Sequence, residues 1–224
     1  MAVKSEGVCS LCNKRCGKTG MSRHLLQCAA SHSTGTGTAV PRVLIAAEGY
    51  GPYWLHVDAS VKATLDDLDA FLRKIWLECC GHLSDFTIGN TSYDRSESEN
   101  DAFGFGSLSG SMSAKLGVVF SRPGLTARYE YDMGSTTELK LRVVGIFEGR
   151  ESAGRVRLLA RNQPPIWPCD TCGTPATNIC PHCAHERGGS LLCGTHAKSH
   201  GCEGPEGMLP VVNSPRMGVC GYTG

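Results

Sequence analysis

The sequence lacks both a strong charge imbalance and long apolar runs. Its 22 basic and 21 acidic residues leave a formal net charge of +1 over 224 residues, so overall charge gives no argument for nucleic-acid, membrane or acidic partners. No apolar run approaches membrane-spanning length, and the opening MAVKSEGVCSLC lacks the apolar core of a signal peptide. We therefore expect a soluble, cytoplasmic protein of one or two domains with small appendages.

The sequence also lacks the HExxH and HxE…PCxxC patterns of catalytic zinc sites. It does contain thirteen cysteines: four in residues 9–28, the adjacent pair Cys79 and Cys80, and seven in residues 169–220. The first and last groups contain Cys-x-x-Cys pairs with histidines at ligand spacing, and this pattern favours zinc over disulfides. We expect about three structural zinc ions.

The N-terminal group has the spacing C-x2-C-x11-H-x3-C, formed by Cys9, Cys12, His24 and Cys28. Residues four apart lie on one face of a helix, so a helix begun near Ser22 lets His24 and Cys28 meet the cysteine knuckle around one tetrahedral ion. The pattern resembles a C2HC zinc finger. Cys16 is left as a non-ligand thiol.

Basic residues surround these ligands, and residues 1–41 contain five basic side chains against the single acidic Glu6. This local excess suits phosphate contacts. The alternative is a structural or protein-docking module, because one isolated finger usually lacks the contact area for sequence-specific DNA binding. The candidate nucleic-acid contacts are Lys14, Arg15, Lys18 and Arg23.

The C-terminal group reads C-x2-C-x7-C-x2-C-x9-C-x2-H-x3-H-x-C, which gives eight ligands in four pairs and predicts two zinc ions. Alternating pairs, as in MYND, HIT-type and B-box modules, give one site of Cys169, Cys172, Cys193 and His196 and another of Cys180, Cys183, His200 and Cys202. His182 and His185 are assigned as non-ligands. Cys220 is an additional candidate that would replace His200 or Cys202 if the tail folds back.

Composition divides the chain into five parts: a C2HC zinc finger (1–28), a Gly/Thr-rich linker (29–41), an α+β body (42–161), a proline-stiffened linker (162–168), and a cross-braced two-zinc module with its tail (169–224). Closed four-ligand sites in both modules favour structural over catalytic zinc. A protein partner for the C-terminal module is expected, and nucleic acid is a candidate partner for the finger.

Alternating strands dominate the predicted body. RVLIAAEG, PYWLHVDAS and HLSDFTIG predict strands, ARYEYDMG and TELKLRVVGIFEG predict an antiparallel hairpin, and RVRLLAR predicts an edge strand. Thr64 and Asp67 predict a capping box for a helix whose apolar stripe runs from Leu65 to Cys79. SYDRSESENDAFGFGSLSGS predicts a loop. The fold class is therefore α+β with a small antiparallel sheet.

Three segments of this body, WLHVDAS, FLRKIWLECCGHLSDFTI and YEYDMGSTTELKL, resemble the Ri-plasmid ORF-3-like family of insertion-element passenger, TnpR-like proteins. The resemblance covers roughly residues 42–150 and is carried by Trp54, by Gly81-His82-Leu83-x-x-Phe86 and by Tyr129-x-Tyr131-Asp132-x-Gly134. It implies a small α+β fold and a link to mobile elements. Some members have cysteine-rich ends with a closing segment like NSPRMGVCGY.

The resemblance assigns no activity. Arginines do not cluster around a serine in the body, which argues against a serine recombinase. After Gly134 the chain continues Ser135-Thr136-Thr137-Glu138 where many members have an acidic residue and a tryptophan. The sequence favours an interaction or nucleic-acid-associated zinc protein. The alternative is a hydrolase or nuclease with its site near His82 and Asp132, a pair that otherwise forms a structural hydrogen bond.

Overall fold

A computed structural model describes residues 5–32, 38–94, 108–150, 154–187, 191–202 and 207–224. The strands are β1 (Glu6–Cys9), β2 (Arg15–Gly17), β3 (Ala39–Glu48), β4 (Trp54–Ser60), β5 (Ser84–Ile88), β6 (Thr91–Asp94), β7 (Leu108–Ser111), β8 (Thr126–Tyr131), β9 (Thr137–Arg150), β10 (Val156–Asn162), β11 (Asn178–Ile179), β12 (Leu191–Leu192) and β13 (Leu209–Pro210). The helices are α1 (Lys18–Ser31), α2 (Leu65–Leu72), α3 (Leu116–Val119), α4 (Pro181–Arg187) and α5 (Gly194–Lys198), with a π-helical turn at Arg73–Leu77.

One large sheet organises the described chain in the order β2-β1-β10-β4-β3-β9-β8-β5-β6-β7. Its neighbours are antiparallel except for β6 and β7, which pair in parallel. A second, three-stranded sheet has the order β12-β11-β13. This mostly antiparallel mixture of strands and few helices fits the predicted α+β class. The expectation of a small sheet is wrong, because the sheet has ten strands and includes β1 and β2 of the N-terminal cysteine module.

The large sheet is buried on both faces at its centre. Successive side chains of a strand point to opposite faces, and on β3 Val43 and Ile45 belong to the core beneath α2, whereas Leu44 belongs to a second core beneath α1. Burial on both faces explains the continuous apolar run VLIAA, which would alternate with polar residues on a half-exposed sheet.

Helix α2 begins with the predicted capping box. The Thr64 backbone N–H donates to Asp67 Oδ2 at 2.8 Å, and the Asp67 N–H donates to Thr64 Oγ1 at 3.2 Å. The α-helix was expected to continue to Cys79, but it changes at Arg73 into the π-helical turn. This change buries Trp76 completely and leaves Cys79 half-buried. Single π-turns of this kind are frequent at functional sites.

The hairpin predicted between β8 and β9 is confirmed, with Tyr129 opposite Leu139. The edge position predicted for RVRLLAR is wrong, because β10 pairs with β4 on one side and with β1 on the other. Sequence patterning could not show this, since the covering strand comes from the N-terminal cysteine module.

That module is continuous with the sheet. Its helix α1 buries Met21, Leu25 and Ala29 against the sheet residues Leu44 and Leu159. The predicted linker of residues 29–41 includes the end of α1 and the start of β3, and its residues 33–37 lie outside the described ranges.

The predicted loop after β5 contains β6 and β7, while residues 95–107 lie outside the described ranges. None of the helices in the described ranges is long and apolar enough to cross a membrane.

Candidate metal centres

The N-terminal cluster joins the β1–β2 hairpin to α1. Cys9 ends β1, Cys12 lies in the following turn, and His24 and Cys28 occupy successive turns of α1. The Cys9 and Cys28 sulfurs are 3.9 Å apart, and Cys12 Sγ lies 3.2 Å from His24 Nε2. Asn13, in the left-handed region with φ of 61°, turns the chain between the strands. All four donor atoms lie within 4.8 Å of one another.

The C-terminal module contains two clusters that join alternating pairs, as the cross-braced prediction requires. Their members are Cys169, Cys172, Cys193 and His196 in one, and Cys180, Cys183, His200 and Cys202 in the other. In the first, His196 Nδ1 lies 3.5 Å from Cys169 Sγ, and the Cys172 and Cys193 sulfurs are 3.9 Å apart. In the second, Cys183 Sγ lies 3.4 Å from His200 Nε2 and 3.7 Å from Cys202 Sγ.

Local backbone structure presents these donors. Gly173, with φ of 74°, donates its N–H to the Cys169 carbonyl at 2.8 Å and closes the first knuckle. Cys193 is the N-cap of α5, which contains His196. Cys180 precedes α4, which contains Cys183. Each Cys-x-x-Cys or Cys-x-x-His pair therefore needs only one turn of chain to converge.

The separations fit tetrahedral zinc. Zinc–sulfur bonds of about 2.3 Å and zinc–nitrogen bonds of about 2.0–2.1 Å place two sulfurs about 3.8 Å apart, and a sulfur and a nitrogen about 3.6 Å apart. The observed sulfur–sulfur distances of 3.7–3.9 Å match this geometry and are nearly twice the length of a disulfide bond, about 2 Å. All thirteen cysteines lie in the described ranges, and none of them forms a disulfide there.

Thiol acidity also suits metal binding at Cys169. Burial raises the pKa of this thiol, but the backbone N–H groups of Cys193, Thr171 and Cys172 outweigh that effect and lower it to about 6. Cys28 is the opposite case, because burial and the neighbouring thiols raise its pKa to about 12. A bound dication reverses such an effect by coordinating the thiolate directly.

A fourth cluster, which sequence reasoning missed, contains Cys79, Cys80, His82 and Cys220. Cys220 Sγ lies 3.3 Å from His82 Nε2 and 3.9 Å from Cys80 Sγ. Cys79 had been assigned to the buried stripe of α2, and no Cys-x-x-Cys spacing marks this group. The sequence contained two signals for it: Cys79 and His82 have the same Cys-x-x-His spacing as Cys193 and His196, and the three predicted sites leave four cysteines unassigned, namely Cys16, Cys79, Cys80 and Cys220.

The structure therefore places Cys220 apart from His200 and Cys202, the ligands that it was expected to replace. The tail does fold back, but onto the body. Cys220, His200 and Cys202 all line one cavity of about 600 Å³, together with residues 134–136 of the body. His182 and His185 are exposed at this cavity and belong to none of the four clusters found in the described ranges.

His82 and Asp132 lie close together, with 3.6 Å between His82 Nδ1 and Asp132 Oδ1. Asp132 is also held by Arg216, which donates to Asp132 Oδ2 at 2.6 Å, and by the backbone N–H groups of Gly134 and Ser135. The Arg216 hydrogen bond is the main reason that the pKa of Asp132 falls to about 2. The carboxylate therefore stays charged beside the histidine.

The candidate nucleic-acid contacts divide into two kinds. Lys14, Arg15 and Arg23 are exposed, and no ion pair is found for them within the described part of the chain. Lys18 instead pairs with Glu48, with 2.6 Å between Nζ and Oε2. The buried face of α1 packs on the sheet, so a partner of this module has access only to the opposite face.

No family model and no curated protein matches the sequence. A crystal structure of a protein of unknown function, MM3350 from Methanosarcina mazei Go1, is similar to this chain with a TM-score of 0.44 and 19% sequence identity. The similar region covers 54% of this chain and 69% of that protein.

Proposed function

We propose that the protein is a zinc-binding interaction factor, with structural zinc ions in its N-terminal and C-terminal modules. One observation carries this proposal: each of three clusters contains three cysteines and one histidine, whose donor atoms lie within 4.8 Å of one another. Four protein donors complete a tetrahedral zinc shell and leave no position for a substrate. The expected role of the metal is therefore stabilisation.

The C-terminal module supports this interpretation through its small core. Its sheet consists of three two-residue strands, and α5 has no buried residue. Zinc binding contributes about 10 kcal/mol or more to the folding of such modules. A rigid module of this kind, stabilised without a large apolar core, is suited to docking a protein partner.

Nucleic acid is a second candidate partner, reached through the exposed Lys14, Arg15 and Arg23. A finger that docks its helix on its own protein's sheet presents little surface for base contacts, so we expect phosphate contacts without strong sequence preference. A link to mobile elements rests on the family resemblance of the body alone and stays a prediction.

The hydrolase or nuclease alternative has less support. Both oxygens of Asp132 accept hydrogen bonds from the protein, and Nε2 of the partly exposed His82 faces Cys220. Neither side chain is placed to activate a water as a general base would be.

A binding titration tests the interaction role. Labelled DNA and RNA oligonucleotides are titrated with the zinc-loaded protein at low salt, and the triple variant Lys14→Glu, Arg15→Glu, Arg23→Glu is expected to abolish binding. The matched control changes three exposed basic residues of the body, Lys62, Lys115 and Arg122, to glutamate. Absence of binding by the unmodified protein rejects the nucleic-acid partner, whereas a protein without bound zinc rejects the proposed function as a whole.

A further inference from the structure

We infer that Cys79, Cys80, His82 and Cys220 form a fourth zinc site, which fastens the C-terminal tail, residues 207–224, to the body. The inference takes only the identity of the metal from the proposed function. Its donor set repeats the other three clusters, with three cysteines and one histidine within the same 4.8 Å. Together the four clusters use twelve of the thirteen cysteines, and Cys16 alone remains outside them.

The distances agree with a shared ion. The 3.9 Å between the Cys80 and Cys220 sulfurs and the 3.3 Å between His82 Nε2 and Cys220 Sγ are close to the edges of a zinc tetrahedron, about 3.8 Å and about 3.6 Å. They fall in the same range as the separations in the three local clusters.

The histidine is oriented as a ligand. Its Nε2 faces Cys220, and its Nδ1 faces Asp132. Metal-binding histidines commonly direct their second nitrogen at a carboxylate, which fixes the tautomer and increases the basicity of the ligand. Asp132 is itself held in place by Arg216 and lies in the left-handed region, with φ of 69°. Asp132 and Arg216 thus support the position of His82, which a chance grouping of side chains would not require.

The tail reaches the site through contacts of its own. Ser214 donates to the Trp76 carbonyl at 2.6 Å, in the π-helical turn just before Cys79. Arg216 is fully buried and also donates to the Ser135 carbonyl and to Thr137 Oγ1. Four residues after Arg216, Cys220 adopts a φ of 50°. These contacts of the tail with the body place Cys220 beside the donors of the body.

The surrounding charges suit a thiolate-rich centre. Three thiolates and one Zn²⁺ carry a net charge of minus one. The buried guanidinium of Arg216 lies beside the Cys79 thiol and also pairs with Asp132. Arg216 and Arg73 each place a guanidinium carbon 4.8 Å from the centre of the Tyr131 ring. The Tyr131 ring in turn packs edge-on against His82, with 5.7 Å between ring centres.

An ion here also connects the C-terminal module to the body. A side chain on Gly218 would place its Cβ 2.8 Å from Ile179 of β11, so the tail also packs against the module. Fixing Cys220 to the body therefore fixes the strands that present the second C-terminal cluster. The site therefore links the body to the C-terminal module.

Cysteine footprinting of the full, zinc-loaded chain tests this site. The folded protein is treated with N-ethylmaleimide, and peptide mass spectrometry measures the modification rate of each thiol. Cys12, Cys80 and Cys172 are all exposed, whereas Cys16 is half-buried. We expect Cys80 to react at least about tenfold more slowly than Cys16, because its thiolate is held by zinc, and to become reactive once a chelator removes the metal.

The outcomes separate the two proposals. If Cys80 reacts as fast as Cys16 while Cys12 and Cys172 stay protected, or if Cys80 is recovered cross-linked to Cys220, the fourth site is rejected and the other three stand. If Cys12 and Cys172 also react quickly, the zinc proposal itself fails. The variant Cys220→Ser is expected to expose Cys80 to modification and to leave Cys12 protected. Continued protection of Cys80 in that variant overturns the role of the tail.

Discussion

The four clusters share one donor set but differ in how the chain brings the donors together. In the N-terminal cluster, Cys9 and Cys28 are 19 residues apart. In the cluster of the tail and the body, His82 and Cys220 are 138 residues apart. Local clusters can assemble as their own segment folds, whereas the long-range cluster exists only when the sheet, the π-helical turn and the tail are already in place.

The difference in loop-closure entropy between these two clusters is small compared with the free energy of zinc binding. Lengthening a closed loop from 19 to 138 residues costs about 2 kcal/mol of additional chain entropy, whereas structural zinc contributes about 10 kcal/mol or more. Distance along the chain therefore does not prevent the fourth site. It changes what the ion stabilises, from the fold of a module to the attachment of the tail.

The largest loss of structure is expected from removing a zinc ligand of the C-terminal module. Cys180→Ser should release one zinc ion and unfold the C-terminal module, because zinc supplies about 10 kcal/mol or more there. The body should stay folded. Hydrogen exchange measured by mass spectrometry would show loss of protection confined to residues 169–202. The control His182→Ala changes an exposed non-ligand in the same knuckle and should leave protection intact. Unfolding of the body in Cys180→Ser would mean that the module and the body do not fold independently.

The second-largest effect is expected from replacing Arg216, which holds the tail against the body. Arg216→Leu should lower the free energy of unfolding by about 3–5 kcal/mol, because it leaves the Asp132 carboxylate buried without its partner. Denaturant unfolding in zinc-saturated buffer measures this loss. Arg122→Leu, at an exposed position, is the matched control. Equal stability of the two variants would mean that the tail is not held as the structure shows.

A smaller effect separates the long-range cluster from the local ones. Asp132→Asn should weaken zinc binding at the fourth site by about 10–100-fold, since it removes the carboxylate that orients His82. Competition with a metal indicator should show one weakened ion and three unchanged ions. Asp85→Asn, which changes another carboxylate near His82 in sequence, should leave all four affinities unchanged. Weakening of all ions alike would contradict separate sites.

The smallest effect tests the local structure that leads to the fourth cluster. Thr64→Ala removes the capping box of α2 and should cost about 1 kcal/mol of unfolding free energy, with no change in the number of bound ions. Chemical denaturation and metal analysis measure the two quantities. Thr19→Ala, exposed in α1, serves as the control. A lost ion in Thr64→Ala would show that α2 controls the site more directly than its contacts indicate.

The same difference between local and long-range contacts decides which features could be predicted from the sequence. Cys-x-x-Cys knuckles, the four-residue step from His24 to Cys28 and the Thr64–Asp67 capping box are local, so spacing alone identified residues that the structure brings together. Alternation likewise predicted the β8–β9 hairpin. Each of these features depends on a few neighbouring residues and elementary helix or strand geometry.

The missed features depend on distant parts of the chain. Nothing near RVRLLAR shows that β1 covers it, and nothing near Cys79 indicates that a π-helical turn precedes it. Pairing Cys80 with Cys220 requires the position of the tail, which is set by buried contacts of Ser214 and Arg216 with the body. The signals available in the sequence were the Cys-x-x-His spacing of Cys79 and His82 and the number of unassigned cysteines.

We propose that four equivalent donor sets hold four zinc ions, one of which is shared by the body and the tail. Native mass spectrometry of the intact chain, purified with zinc present and exchanged into a volatile buffer, counts bound ions directly. This arrangement predicts four zinc ions per chain, falling to three in Cys220→Ser. A chain that carries three ions both with and without Cys220 would contradict it.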